Sequence, residues 1–168
     1  ELGGKSANVI FADADLAKAA ATAPYAVFDN AGQDCCARSR ILVERSVMDD
    51  FLALLEPAVL GVRVEDPSLD TAEMGPLISA GHRDSVASFI TDSTNVVIRG
   101  SVPDGPGYWY PATVVVPTSS DDPLMTDEVF GPVVSVMPFD DEADAIRLTN
   151  ATDYGLSGAV FTRDFARA

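Results

Sequence analysis

The chain has 168 residues, 47% of them hydrophobic, which is enough for a single domain with a sizeable core. Lys and Arg total 11 against 26 Asp and Glu, so the formal net charge at pH 7 is −15. Such an acidic surface repels phosphate groups, which excludes nucleic acids and anionic membranes as expected partners. The acidic residues are spread along the chain and are typical of a solvated surface.

The sequence shows no apolar run long enough to cross a bilayer and no signal peptide. Its two adjacent cysteines, Cys35 and Cys36, cannot build a disulfide framework, which favours a reducing, cytoplasmic location. The chain opens inside what looks like a motif, Glu1-Leu2-Gly3-Gly4-Lys5, without an initiator methionine. We therefore expect it to be part of a larger protein.

The N-terminal segment predicts a strand, a helix and a second strand. The apolar run at residues 8–11 is typical of a buried strand, and the acidic residues at 13–15 supply an N-cap for an alanine-rich helix ending near residue 28. Pro24 predicts a kink or a restart within that helix. Residues 40–44 form the second predicted strand.

The middle of the chain predicts two helices separated by a long connection. Residues 46–55 have a helical apolar period with Ser46 as a possible N-cap. Residues 61–77 are rich in Asp, Pro, Gly and Ser and form a long surface connection. Residues 79–90 predict an exposed amphipathic helix that carries His82, a surface position to which we assign no catalytic role.

The C-terminal half also alternates between predicted strands and helices. Its apolar and amphipathic runs predict strands at residues 95–98, 108–116, 133–139 and 158–162 and a helix at residues 141–150. Pro111 indicates an edge or a strand start. Alternating strands and helices predict an α/β domain.

Residues 28–37, Phe-Asp-Asn-Ala-Gly-Gln-Asp-Cys-Cys-Ala, place a thiol at a polar turn between a helix and a strand. Free backbone N–H groups at such a turn favour the thiolate and can stabilise an oxyanion beside it, so we interpret Cys35 as a catalytic nucleophile. Cysteine is also common as an inert buried residue, and adjacent cysteines could form a vicinal disulfide or half of a metal site. With one histidine and no third cysteine, we expect no structural zinc site, and we assign no residue as a metal ligand.

Several sequence blocks match one family in the same order. They are Glu1-Leu2-Gly3-Gly4-Lys5-Ser6 with Asn8, Phe28-x-Asn30-x-Gly32-Gln33-x-Cys35, Gly75-Pro76-Leu77, Glu128-Val129-Phe130-Gly131-Pro132, and Asn150 with Tyr154-Gly155-Leu156 and Val160-Phe161-Thr162. From end to end, the chain resembles the aldehyde dehydrogenase superfamily. The resemblance implies the catalytic domain of that family, a three-layer α/β domain with a twisted, mostly parallel sheet flanked by helices.

The resemblance also implies roles for individual residues. Cys35 would attack an aldehyde carbonyl, with its own backbone N–H as an oxyanion donor, and Glu1 would be the general base that activates the hydrolytic water. Glu128 would hold the nicotinamide ribose of NAD or NADP, and Phe130 would pack near the nicotinamide ring. Phe28, Asp34 and Cys36 would line the substrate pocket.

Parts of the family pattern are absent from residues 1–168. Nothing in the sequence resembles the dinucleotide-binding domain, the upstream oxyanion Asn or the C-terminal closing segment. We therefore expect the isolated chain neither to bind NAD(P) appreciably nor to oxidise aldehydes. The missing dinucleotide-binding domain of the same chain is an expected partner, and the resemblance implies a homo-oligomer for the full-length protein.

Asp34 provides the clue to the substrate, because a carboxylate beside a thiol opposes thiolate formation. One hypothesis is that it attracts a cationic aldehyde, and the resemblance to aminobutyraldehyde and betaine aldehyde enzymes around this turn favours the same class. The alternative is that Asp34 points away and caps a turn. Two other functions also stay open: the acylating, coenzyme A-dependent branch, against which Glu1 argues, and a non-catalytic binding or structural module that retains the fold.

Overall fold

The computed structural model describes residues 2–168, and its centre is a six-stranded sheet. The strands are β1 (Ala7–Ile10), β2 (Arg40–Glu44), β3 (Val96–Arg99), β4 (Thr113–Val115), β5 (Val133–Phe139) and β6 (Gly158–Phe161). The helices are α1 (Leu16–Phe28), α2 (Met48–Leu60), α3 (Ala80–Ser88), α4 (Pro123–Thr126) and α5 (Glu142–Thr149). Within residues 2–168, no helix combines the length and apolar composition needed to cross a bilayer.

The strand order is β3-β4-β5-β2-β1-β6. Only the β3–β4 pair is antiparallel, and all other neighbours run parallel. Parallel neighbours require a crossover connection, and between β1 and β2 this connection consists of α1 and the cysteine turn. The predicted mostly parallel sheet is confirmed, and the topology places the cysteines next to the start of a central strand.

Buried side chains form a core on each face of the sheet. Along β2, Ile41 and Val43 belong to the larger cluster with α1 and α2, whereas Leu42 belongs to a smaller cluster with α5. Alternate residues of a strand point to opposite faces, so both faces of β2 are covered by helices. The predicted three-layer arrangement is therefore confirmed.

The first helix starts as predicted but is not interrupted. Oδ1 of Asp15 accepts a hydrogen bond from the amide of Lys18 at 3.0 Å, which caps α1. The helix continues through Pro24 to Phe28, so the predicted restart is wrong. Packing of its inner face explains this continuity, because proline costs a helix one hydrogen bond and burial compensates. The buried residues of that face are Ala19, Ala20, Ala23, Pro24, Val27 and Phe28.

Two predicted element boundaries are also wrong. Helix α2 begins at Met48 after a short 3-10 turn, and the Ser46 hydroxyl donates to Glu44 rather than capping the helix. The β-prone run 108–116 forms a strand only at Thr113–Val115. Part of the reason is that the carbonyl of Tyr108 accepts a hydrogen bond from the connection before α3, and Pro111 has no N–H for a ladder.

Candidate active site

The polypeptide between α1 and the cysteines is held in an unusual conformation by its own polar groups. Asn30 and Ala31 have φ values of 51° and 56°, in the left-handed region that asparagine tolerates better than alanine. The Asn30 side chain donates to the carbonyl of Gln33 at 2.9 Å, and the Gln33 side chain donates back to the carbonyl of Asn30 at 3.0 Å. This reciprocal pair closes the loop and fixes the direction in which the chain enters the cysteine turn.

The two cysteines occupy the centre of a β-turn. The amide of Ala37 donates to the carbonyl of Asp34 at 3.0 Å, and Oδ1 of Asp34 accepts a second bond from the amide of Cys36 at 2.9 Å. The sulfurs of Cys35 and Cys36 are 4.0 Å apart, about twice the ~2.05 Å of a disulfide bond, so no vicinal disulfide is present. Cys36 is exposed and Cys35 is half-buried, and neither sulfur lies deep in the apolar core.

The N-terminal segment packs directly against this turn. Gly4 lies so close to the carbonyl oxygen of Cys35 that a methyl group at position 4 would clash with it. The amide of Gly4 also donates to Oε1 of Glu128 at 2.7 Å. The predicted general base, Glu1, lies outside the described residues. The segment that follows it is nonetheless fixed between the proposed nucleophile and the proposed ribose-binding carboxylate.

The segment that carries Glu128 and Phe130 also contacts the loop that leads to the cysteines. Gly32, with φ of 71°, abuts the carbonyl of Gly131 so closely that no side chain would fit between them. Phe130 is half-buried with φ of 54°, which is uncommon for a bulky residue. The structure thus brings the two proposed cofactor-binding residues to the same region as Cys35.

His82, predicted to be an exposed surface residue, is half-buried and makes a contact that the sequence did not predict. Its Nε2 lies 2.7 Å from the carbonyl oxygen of Phe130, to which it donates, and the two rings meet edge to face with centroids 6.1 Å apart. The contact supports the strained backbone at Phe130. It also connects α3 with the candidate site, although His82 lies outside the cysteine turn itself.

The segment around Gly75-Pro76-Leu77 contacts the cysteine loop through Gln33. Its Oε1 accepts a hydrogen bond from the amide of Ile78 at 3.0 Å, directly after Gly75-Pro76-Leu77. Leu156, from the last block, lies next to Gly4. The blocks that are far apart in the sequence therefore meet around one turn.

The three predicted pocket residues are in different environments. Phe28 is 2% exposed, packs in the larger core and lines a groove between α1 and α2. Asp34 and Cys36 are exposed on the turn. The hydrogen bond from Cys36 shows that Asp34 caps the turn, and its side chain is nevertheless open to solvent.

Two buried cations next to the site were not identified from the sequence. Lys5 is 2% exposed, and burial, together with repulsion from Arg40, lowers its pKa from 10.5 to about 8, although Asp127, Glu128 and Asp122 raise it. The signal that could have found Lys5 is its position in a segment that leads straight into a buried strand.

Arg40 anchors the same segment. Its guanidinium donates to the carbonyls of Lys5 at 2.8 Å, Leu148 at 2.8 Å and Thr149 at 2.9 Å. Burial lowers its pKa. An arginine at the start of an apolar run, before Ile41, is unusual enough to indicate a buried hydrogen-bonding role.

Comparison with known proteins explains why these blocks converge. The profile of the aldehyde dehydrogenase family matches residues 1–168, the whole chain. The chain belongs to the aldehyde dehydrogenase family. The resemblance carried by the sequence blocks is therefore confirmed, and several of those blocks meet around Cys35 of this aldehyde dehydrogenase chain.

Similar proteins include enzymes named for different aldehydes. The chain is 37% identical over 177 residues to 2-hydroxymuconic semialdehyde dehydrogenase of Pseudomonas putida and 38% identical over 173 residues to betaine aldehyde dehydrogenase 2 of Rhizobium meliloti. Each match covers 100% of this chain and 36% of the relative. The aldehyde dehydrogenase chain therefore spans about 36% of the length of the curated relatives it matches.

A solved structure with a similar sequence identity confirms the fold. Betaine aldehyde dehydrogenase from Staphylococcus aureus, solved in complex with NAD+, is 38% identical and superposes with a TM-score of 0.93. The match covers 100% of this chain and 35% of the Staphylococcus aureus chain. The solved relative thus has the same fold as this aldehyde dehydrogenase chain over the whole length of the match.

Proposed function

We propose that this chain is the thiol-bearing catalytic domain of an NAD(P)-dependent aldehyde dehydrogenase that converts an aldehyde into a carboxylic acid. The observation that carries the proposal is the position of Cys35. Cys35 is half-buried at a β-turn, Gly4 packs against its carbonyl, and Glu128 accepts a hydrogen bond from the amide of Gly4. A nucleophile in a partly enclosed, backbone-rich turn is suited to covalent catalysis.

The chemistry assigned to the chain's own residues begins with loss of the Cys35 thiol proton. The sulfur then forms a bond to the aldehyde carbon, and the carbonyl oxygen becomes an oxyanion near the backbone N–H of Cys35. When bound, the nicotinamide supplies a hydride acceptor for the carbon held on sulfur. Water activated by Glu1 attacks the resulting thioester, the carbon–sulfur bond breaks, and the acid and the thiol are released.

Two residues fit the proposed contacts with the cofactor. Glu128 presents a half-buried carboxylate beside the turn, and Phe130 lies two residues further along the same segment. The Staphylococcus aureus relative contains NAD+, which supports a nicotinamide cofactor here. We propose that most of the cofactor-binding surface belongs to a dinucleotide-binding domain outside residues 1–168, so the isolated chain binds NAD(P) weakly.

The substrate proposal depends on Asp34. Its exposed carboxylate next to Cys35 favours a cationic aldehyde, and relatives named betaine aldehyde dehydrogenase support that class. By contrast, the relative named for 2-hydroxymuconic semialdehyde, an anionic compound, favours a negatively charged aldehyde as the substrate. The comparison that decides is turnover of cationic and neutral aldehydes by the longer enzyme that contains this chain. An equal preference that is unchanged in Asp34→Asn would refute the cationic class.

The nucleophile itself is tested on the chain alone. Alkylation by iodoacetamide near neutral pH, read by peptide mass spectrometry, is expected to modify half-buried Cys35 faster than exposed Cys36. In the longer enzyme, Cys35→Ser is expected to abolish dehydrogenase activity, whereas Cys36→Ser retains most of it. Faster alkylation of Cys36, together with activity in Cys35→Ser, would overturn the assignment.

A further inference from the structure

The cysteine turn gathers three side chains of metal-binding type in one place. Ligand atoms of Asp34, Cys35 and Cys36 all lie within 4.8 Å of one another. Adjacent residues of an extended chain point in opposite directions, but the turn closed by Ala37 and Asp34 brings both sulfurs to the same side. The grouping therefore follows from the backbone conformation and not from a chance overlap of long, mobile side chains.

The spacing of the sulfurs matches a chelate. Two thiolates bound to one tetrahedral Zn²⁺ at ~2.3 Å are ~3.8 Å apart. The sulfurs of Cys35 and Cys36 are 4.0 Å apart, so both can bind one ion with a shift of a few tenths of an ångström. The Asp34 carboxylate is exposed and can move toward the same ion as a third donor.

We propose that Asp34, Cys35 and Cys36 form a reversible binding site for thiophilic divalent cations such as Zn²⁺ and Cd²⁺, which masks the Cys35 thiol. Binding exchanges the protons of two thiols for one cation, so two protons are released for each ion bound. A carboxylate and two thiolates leave a fourth tetrahedral position for water. The site is a regulatory or inhibitory one, distinct from the structural zinc site that the single histidine argues against.

The charge and accessibility of the turn support this assignment. Asp34 and Cys36 are exposed, so an ion reaches them from solvent. With Asp34 ionised and both thiols deprotonated, the donors carry three negative charges, which a divalent cation relieves. Sulfur donors select Zn²⁺ and Cd²⁺ over Mg²⁺, which prefers oxygen ligands in an octahedral arrangement.

The experiment is a titration of the 168-residue chain, free of any histidine tag, with CdCl₂. Thiolate coordination produces a charge-transfer band in the ultraviolet, and one ion per chain is expected, with two protons released per ion in weakly buffered solution. Competition with ZnCl₂ is expected to remove the band, and MgCl₂ is not. An apparent Kd of about 1 μM or below is expected near neutral pH.

Single substitutions separate the three donors. Cys36→Ser and Cys35→Ser are each expected to weaken Cd²⁺ binding by roughly 100-fold, because the second thiolate acts at a high effective concentration. Asp34→Asn is expected to weaken it by roughly tenfold. Asp29→Asn removes an exposed carboxylate from the same loop and is the matched control, with unchanged affinity expected. Circular dichroism checks that each variant is folded.

The binding test does not depend on the proposed dehydrogenase function, since it measures metal binding without aldehyde or cofactor. Saturating Zn²⁺ is also expected to protect both cysteines from iodoacetamide, and EDTA to restore alkylation. Absence of a thiolate band, or a band that survives equally in Cys36→Ser, would overturn the site. Equal affinity in Asp34→Asn and Asp29→Asn would exclude Asp34 as a ligand.

Discussion

The amide nitrogen of Gly4 donates a hydrogen bond to Oε1 of Glu128 over 2.7 Å, although 124 residues separate them in the sequence. Gly4 also abuts the carbonyl of Cys35. One residue thus joins the N-terminal segment, the cysteine turn and the segment proposed to contact the cofactor. The arrangement predicts that substitutions at either end of this contact affect the surroundings of Cys35.

Removing the carboxylate of Glu128 is expected to destabilise the fold. In Glu128→Ala, the partly buried amide of Gly4 loses its acceptor, which costs about 1–3 kcal/mol of unfolding free energy. Glu128→Gln keeps an acceptor oxygen and is expected to cost about 1 kcal/mol or less. Urea denaturation followed by circular dichroism measures both. Equal losses in the two variants would contradict a hydrogen-bonding role.

Adding one methyl group at Gly4 is expected to have a larger effect than its size suggests. Gly4→Ala places Cβ against the carbonyl of Cys35, and relieving the clash should cost about 1–3 kcal/mol and alter the alkylation rate of Cys35. Gly81→Ala is the matched control, because a Cβ at this position in α3 has nothing within 4 Å. That control is expected to gain about 0.5–1 kcal/mol. Similar effects at both glycines would show that the close approach is unimportant.

Buried Lys5 is expected to make stability rise with pH in the alkaline range. Its pKa is 10.5 in the unfolded chain and about 8 in the folded one, so between these values the unfolded state binds more protons. Burying the charged Lys5 therefore lowers the unfolding free energy by about 3 kcal/mol below pH 8, and this loss of stability disappears as the pH approaches 10.5. The difference in unfolding free energy between Lys5→Met and the parent should therefore fall by that amount across the interval.

Lys18→Met serves as the control for this pH dependence, because Lys18 is exposed. Its stability difference from the parent should stay constant with pH. Comparing variants at each pH also cancels the contribution of Tyr110, whose pKa burial raises. Parallel profiles for Lys5→Met and the parent would show that Lys5 does not titrate in this range.

Neutralising Asp34 is expected to speed the reaction of its neighbouring thiols. Its carboxylate lies within 4.8 Å of both sulfurs, and a repulsion of about 1 kcal/mol with a thiolate in water corresponds to a roughly fivefold change in rate. Asp34→Asn retains an oxygen that can accept from the amide of Cys36, so the turn should persist. Iodoacetamide kinetics measure the increase, which high salt should reduce. An increase independent of salt would point to altered turn geometry instead.

The sequence predicted the sheet and most elements correctly, for a local reason. The apolar runs at 8–11, 40–44 and 133–139 correspond to β1, β2 and β5, strands buried on both faces, where hydrophobic composition alone is a strong signal. The failures occurred where tertiary contacts outweigh local preference. Pro24 is accepted because its helix face is buried, and most of the β-prone run 108–116 is not in the strand.

The candidate site was only partly predictable. The polar turn around Cys35 was visible because Gly, Asn and Asp are unusual beside a core strand, and the motif blocks indicated Glu128 and Phe130. The contact between His82 and the carbonyl of Phe130 spans 48 residues and involves a backbone atom, so no pattern in the sequence encodes it. The position of Lys5 before a buried strand was a signal of burial, but the extent of that burial depends on which segments cover it in three dimensions.

The surroundings of Cys35 are built largely from main-chain atoms: the turn hydrogen bond from Ala37, the approach of Gly4 and the abutment of Gly32 on Gly131. The Cys36 side chain is exposed outside this scaffold, and the exposed Asp34 side chain contributes to it only through the hydrogen bond that it accepts from the amide of Cys36. Protein engineers could therefore vary position 36 freely, and position 34 among residues that still accept the amide of Cys36, without moving the main chain that holds Cys35.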